Sequence, residues 1–204
     1  MKDLDRRYSV PISQARPKGA RLLEGYSPKL QRSVQLFDYA SFSIWIGLEA
    51  DPSVVAFCER PARFGLANND ALIDFWVLGA NAEESFRVLS NHPDANLPVT
   101  LHEIAVHYVR DSDLAASQIW VSNWTRILGV INAARGVIEQ AMLKSIQDFV
   151  QQPITLGRIE AQFSCGDPVP VRACVFELLR KGRLSAPRLH TQALTLHTTM
   201  EPLS

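Results

Sequence analysis

The sequence predicts an α/β protein: a mixed sheet flanked by helices, followed by a small C-terminal module of two helices and a hairpin. Three observations predict it. Short β-rich runs broken by turn residues fill the stretch from Val54 to Val109. Stripes of apolar residues at helical spacing lie on both sides of that stretch. The C-terminal region pairs a strongly periodic helix with an alternating tail.

The first thirty residues are rich in Arg, Lys, Pro and Gly without a sustained period, which predicts an extended basic arm over residues 1–29. Tyr26-Ser27-Pro28 leads into a predicted helix over residues 30–49, with Leu36, Phe37, Ala40, Ile44 and Leu48 near helical spacing. Asp51-Pro52 ends it, because proline disfavours helix at the residue before it. Val54–Cys58 and Arg60–Leu66 read as strands around a proline corner. Asn68-Asn69-Asp70 is a turn signal, and Ala71–Leu78 is a strand apolar on both faces apart from Asp74. Ser85–Leu89 is the returning strand, and Val99–Val109 a further one. Residues 113–149 read as helical, with Trp124, Ile127, Leu128, Ile131 and Ala134 as the apolar stripe and Asn123 as a cap.

Gln151-Gln152-Pro153 is the candidate linker between a domain over 30–150 and a module over 153–204. Beyond it Leu156, Ile159 and Phe163 suggest one helix. Val171, Cys174, Val175, Leu178 and Leu179 mark a second, with Gly182 at the C-terminal cap. Residues 184–203, carrying Leu189, Leu194 and Leu196, alternate as a short hairpin. Two small helices and a terminal hairpin give the outline of a winged-helix module.

Charge is unevenly spread although the formal net charge is zero. Residues 1–32 carry eight Lys/Arg against three Asp/Glu, residues 33–156 seven against fourteen, and residues 157–204 six against four. A basic front and a mildly basic tail offer cationic surface to DNA; solvated charge without a partner is the plainer account. No apolar run approaches the roughly 18 residues of a membrane span, and the N-terminus lacks a signal-type apolar region. Cys58, Cys165 and Cys174 lack metal-type spacing and read as reduced thiols in a cytoplasm.

The stretch LEADPSVVAFCERPARFG (residues 48–65) and the following ALIDFWVL (residues 71–78) resemble the N-terminal domain of TnsA-like endonuclease subunits of heteromeric transposases. The order is a helix ending in an acid and Asp-Pro, a strand, a proline corner, and an Asp-Phe pair. VRACVFELLRKGRLSAPRL (residues 171–189) is similar to the helix and turn of that family's C-terminal domain, so the matches run over roughly residues 30–200. The resemblance implies a restriction-endonuclease-like fold and Mg²⁺-assisted phosphodiester hydrolysis. It also implies work at transposon-end DNA beside a DDE-type transposase and an AAA+ ATPase.

In such a site an Asp from one strand, an acidic-x-Lys pair from the next and a Glu from the first helix surround the metal. Asp74 matches the strand position as catalytic residue and metal ligand. It also stands out physically, since a lone carboxylate in an apolar strand is costly unless paired or metal-bound. The ordinary alternative is a hydrogen-bonded strand-end Asp. Phe86-Arg87-Val88-Leu89-Ser90 carries no acidic-x-Lys, and the helix position falls near Ser41, with Asp38 one turn earlier as the candidate substitute. Glu49 matches a non-catalytic acidic position. The pattern implies a degenerate nuclease fold whose role is architectural, binding DNA and partner proteins. The alternatives are a stand-alone winged-helix regulator and an active Mg²⁺ nuclease of a defence system.

Arg172, Arg180, Lys181, Arg183 and Arg188 form the candidate DNA-binding cluster. Arg180, Lys181 and Arg183 equally suit a helix C-terminus by its dipole. Arg172 and Arg180 are expected outside the core, so that reversing charges at 180, 183 and 188 costs little stability. His102-Glu103 with His107 has HExxxH spacing, which places the imidazoles apart on a helix or a strand. The four tryptophans (Trp45, Trp76, Trp120, Trp124) lie in apolar periodic segments and read as core. No GxGxxG, P-loop or GxSxG occurs.

Overall fold

The computed structural model describes residues 6–64, 72–90 and 98–203. The chain forms two compact units. One runs up to Glu49 and continues over Ser53–Ala115; the other is Ala50–Pro52 with everything from Ala116 onward. The division falls after Ala115, and Gln151-Gln152-Pro153 lies inside the second unit.

The first unit is α/β. A hairpin of β1 (Leu23–Ser27) and β2 (Arg32–Leu36) precedes α1 (Tyr39–Ala50). Residues 32–36 were expected in a helix but alternate exposed Ser33 and Gln35 with buried Val34 and Leu36. That period of two belongs to a strand, and the apparent helical stripe borrowed Leu36 from it and Phe37 from the bend that follows. The helix itself begins after Asp38 and is buried on nearly every side, which is why its apolar residues show no clean stripe.

β3 (Val54–Glu59), β4 (Phe75–Gly79), β5 (Glu84–Leu89), β6 (Thr100–Leu101) and β7 (Ile104–Val109) form one mixed sheet. Its order is β3-β4-β5-β7-β6, parallel only between β5 and β7. Ala56, Cys58, Trp76, Leu78, Phe86, Val88, Ile104 and Val106 pack on one face. Asp74, expected within a strand, sits immediately before β4. The expected single strand Val99–Val109 is two strands around His102-Glu103, both at positive φ (49° and 66°). That geometry usually takes Gly or Asn, so the sequence carried no turn signal there. The turn predicted at Asn68–Asp70 lies outside the described residues.

The N-terminal arm is docked along much of its described length. Tyr8 meets Trp76 and Phe86 with ring centroids 5.7 and 5.9 Å apart, and the Ile12 amide donates to the Arg60 carbonyl at 2.9 Å. Residues 23–27, assigned to the arm, are a paired strand.

α2 (Asp111–Ala116) precedes α3 (Gln118–Ala133), α4 (Gln140–Phe149), β8 (Ile154–Thr155), α5 (Leu156–Phe163), α6 (Val169–Arg180), β9 (Leu184–Ser185) and β10 (Thr199–Pro202). The predicted helical region 113–149 is thus three helices. In the second unit α3, α4 and α5 all pack on α6, and β8-β10-β9 forms a small antiparallel sheet. α6 buries its residues from Ala173 through Leu179 without a break. It ends as predicted at Gly182 (φ 61°), whose amide donates to the Leu179 carbonyl while the Arg183 amide donates to Leu178. Only a residue free of Cβ crowding takes that left-handed cap easily.

Asn123 is no cap. It sits buried within α3, donates to the carbonyls of Leu189 (2.9 Å) and Gln192 (2.8 Å), and accepts from the Leu194 amide (2.8 Å). The predicted terminal hairpin exists as β9 and β10, with a 3₁₀ turn at Pro187–His190 between them. Trp45, Trp76 and Trp124 are buried, whereas Trp120 is part-exposed and stacks on His190 at 5.5 Å. Among the described residues no helix is long and apolar enough to cross a membrane.

Candidate functional site

A cleft of about 410 Å³ opens in the first unit, and Asp38 and Asp74 both line it. Two elements bring them together: Asp38 is the residue before α1, and Asp74 the residue before β4. The other polar groups on its walls are Gln14, Ser41, Glu59, Arg60 and Arg63.

Asp38 caps α1. Its two carboxylate oxygens accept from the Ser41 amide at 2.7 Å and the Ser41 hydroxyl at 2.8 Å, and its carbonyl accepts from Phe42. An aspartate there satisfies a helix amide that would otherwise lack a partner.

Asp74 is largely buried. Its Oδ2 accepts from the Leu89 amide at 2.8 Å and its carbonyl from the Arg60 amide at 2.9 Å. Burial pushes its carboxyl up from 3.8 to about 6; the Leu89 amide opposes the rise and the nearby Asp38 charge adds to it. A carboxyl that titrates near neutrality in a cleft is a feature of functional sites as well as of crowded ones.

Glu59, the third acid on the walls, is buried and clamped by Arg32 through two hydrogen bonds of 2.7 and 2.6 Å. Arg60 is held differently. It adopts φ 47°, unusual for a non-glycine residue, and donates to the carbonyls of Gln35 (2.7 Å) and Ile12 (3.4 Å). Its guanidinium also lies 5.2 Å from the centre of the Phe37 ring. Burial holds that guanidinium below its ordinary range, with Glu59 opposing. Arg60 and the clamp on Glu59 were missed in the sequence, because their partners lie far along the chain.

The donor set does not fit a hard dication. Mg²⁺ needs near-octahedral oxygen ligands, with one or two carboxylates free to bind. Here both Asp38 oxygens serve Ser41, Glu59 serves Arg32, and Asp74 is crowded toward its protonated form. No lysine lines the cleft among the described residues. Arg87, the charge on the following strand, faces His107 across β5 and β7 and donates to Ser85 instead.

The C-terminal basic cluster divides in two. Arg172 donates to buried Glu160 at 2.6 and 2.9 Å, and Arg180 to buried Glu177 at 2.8 and 2.7 Å. Lys181 reaches the same Glu177 at 3.2 Å. Arg180 is therefore not outside the core as expected; its side chain is only 13% exposed. Arg183 and Arg188 are exposed, with Arg183 at 3.5 Å from Gln147. His102 and Glu103 form the β6–β7 turn, while His107 lies on β7. Cys58 and Cys174 are buried and Cys165 exposed, all three as free thiols.

A scan against models of known protein families finds no match, and a search of curated proteins finds none either.

Proposed function

We propose that this chain is a TnsA-like component of a DNA transposition complex that has kept a nuclease-type frame and serves as a DNA- and protein-binding subunit. The observation that carries the reading is that Asp38, just before α1, and Asp74, just before β4, line one cleft whose other carboxylate is spent on Arg32. On this reading the first unit is a restriction-endonuclease-like domain whose metal site has been given over to structure.

The second unit supports a winged-helix reading. Helix, strand, two helices and two strands follow one another as α4-β8-α5-α6-β9-β10, and the sheet order is β8-β10-β9. The second helix of such a module ordinarily enters the major groove. Here α6 is buried along most of its length, so contact with phosphate falls to Arg183 and Arg188. Transposon-end DNA, a DDE-type transposase and an AAA+ ATPase are the partners this role calls for.

Plasmid nicking tests the central claim. The isolated protein is expected to leave supercoiled plasmid intact in Mg²⁺ or Mn²⁺. Robust nicking that disappears in Asp74→Ala would overturn it in favour of an active nuclease. For DNA binding, Arg183→Glu with Arg188→Glu should weaken duplex affinity across sequences and lower the salt slope by about two, roughly one per lost phosphate contact.

A further inference from the structure

The second unit has a cleft of its own, about 320 Å³ in volume. Val130 of α3, Leu156 of α5, Phe176 of α6 and Leu194 supply apolar walls, and Arg126 of α3 and Arg172 of α6 line the same space. That volume is at the lower end of the roughly 300–1,000 Å³ that small-molecule sites occupy. Polar and apolar surface line it about equally, which suits a ligand that is itself part polar and part apolar.

The two guanidiniums hold donors in reserve. Arg126 donates one terminal nitrogen to the Leu194 carbonyl at 3.0 Å, and no described carboxylate pairs with it. Arg172 uses Nε and one terminal nitrogen on Glu160, leaving its other terminal nitrogen outside that pair. Glu160 itself does not line the cleft. With Arg172 balanced by Glu160, Arg126 leaves one net positive charge beside the apolar part of the cleft.

That pairing narrows the ligand. A bare phosphate would satisfy the cations but meet apolar walls that offer it nothing. A neutral apolar molecule would cover the walls and mask cations without replacing their water, which is costly. A molecule with one carboxylate on an apolar body matches both, since guanidinium donors suit the two oxygens of a carboxylate. We propose that this cleft binds a small amphipathic monocarboxylate, its body on Val130 and Leu196 and its carboxylate on Arg126 and Arg172. The site is separate from the cleft of Asp38 and Asp74 and does not depend on the nuclease reading.

The test is an amide NMR titration of the full chain with 4-phenylbutyrate, 4-phenylbutan-1-ol and inorganic phosphate. Phenylbutyrate should give saturable shifts centred on residues 126–130, 172–176 and 194–196, with a Kd near the millimolar range usual for so small a ligand. The alcohol should bind roughly tenfold more weakly, as should phenylbutyrate to Arg126→Gln, which keeps a donor for Leu194 but loses the charge. Val130→Trp, which changes no charge, should abolish the shifts by filling the cleft while preserving the rest of the spectrum. No saturable shift up to about 10 mM, well above that Kd, overturns the proposal. So does equal binding of acid and alcohol, or phosphate binding as tightly as phenylbutyrate.

Discussion

Replacing Asp74 by Asn should stabilise the protein at neutral pH and leave it nearly unchanged in acid. Asn is close in size and shape, and its amide oxygen can still accept from the Leu89 amide that now donates to Asp74 Oδ2 at 2.8 Å. What it removes is a charge held in a poorly solvated place beside Asp38. The carboxyl is raised from 3.8 to about 6 by folding, so the folded state binds its proton more tightly than the unfolded chain does. Stability from this group is therefore full below pH 4, falls as pH rises between about 4 and 6, and stays low above that window. A shift of about two units corresponds to roughly 3 kcal/mol at most. Asp74→Asn should recover about 2–3 kcal/mol at pH 7.5, or roughly 8–13 °C in the transition of the unit that contains it. Urea and thermal unfolding of both proteins at pH 4 and pH 7.5 measure this directly. A loss of stability in the variant at both pH values would refute the reasoning, because it would mean that the ionised carboxylate is held by favourable partners.

Two further predictions concern the second unit. Arg180→Ala leaves Glu177, which is 8% exposed, with Lys181 as its remaining cation, and should cost about 1–3 kcal/mol in denaturant unfolding. Adding Glu177→Leu should restore most of that loss, and a double variant no more stable than the single one would show that the pair is not the cause. Asn123→Leu strips partners from two carbonyls and one amide in the 189–194 segment and should cost about 2–5 kcal/mol; faster exchange of the Leu194 amide is the specific readout. If stability falls without any change at Leu194, the loss comes from packing within α3 instead.

How much of this was legible in the sequence follows from where each signal resides. α6 and its cap could be read directly, because apolar spacing and the glycine that ends the helix sit within one stretch of chain. The strand β5 was equally plain from Ser85–Leu89. β2 was hidden because its alternation runs straight into Phe37 and the largely apolar α1, whose residues extend the run. The His102-Glu103 turn was hidden because neither residue type prefers positive φ. The nearness of Asp38 to Asp74 was legible only from the order of motifs, since 36 residues separate them in the chain. Glu59 with Arg32, and Glu160 with Arg172, join residues 27 and 12 apart and gave no pattern to detect. Glu177 with Arg180 and Lys181 could have been found, since i,i+3 and i,i+4 pairs face one another on a helix.

That last pair changes what the basic cluster means. Five cations in one stretch suggested a single surface for phosphate, and three of them prove to neutralise buried acids. Burial opposes ionisation of Glu177, yet Arg180 and Lys181 outweigh it and hold its carboxyl below the ordinary range. Reversing the charge of Arg180 would set two carboxylates against each other in a largely buried place, so the expected outcome is unfolding of the second unit and not a clean loss of binding. The informative surface variant is confined to Arg183 and Arg188, whose side chains lie in solvent where ion pairs contribute only about 0–1 kcal/mol. With those two reversed, unchanged melting and unchanged duplex binding together would remove the C-terminal module from the DNA contact. Exposed Arg16, Lys18 and Arg21 of the arm would then be the next cations to reverse.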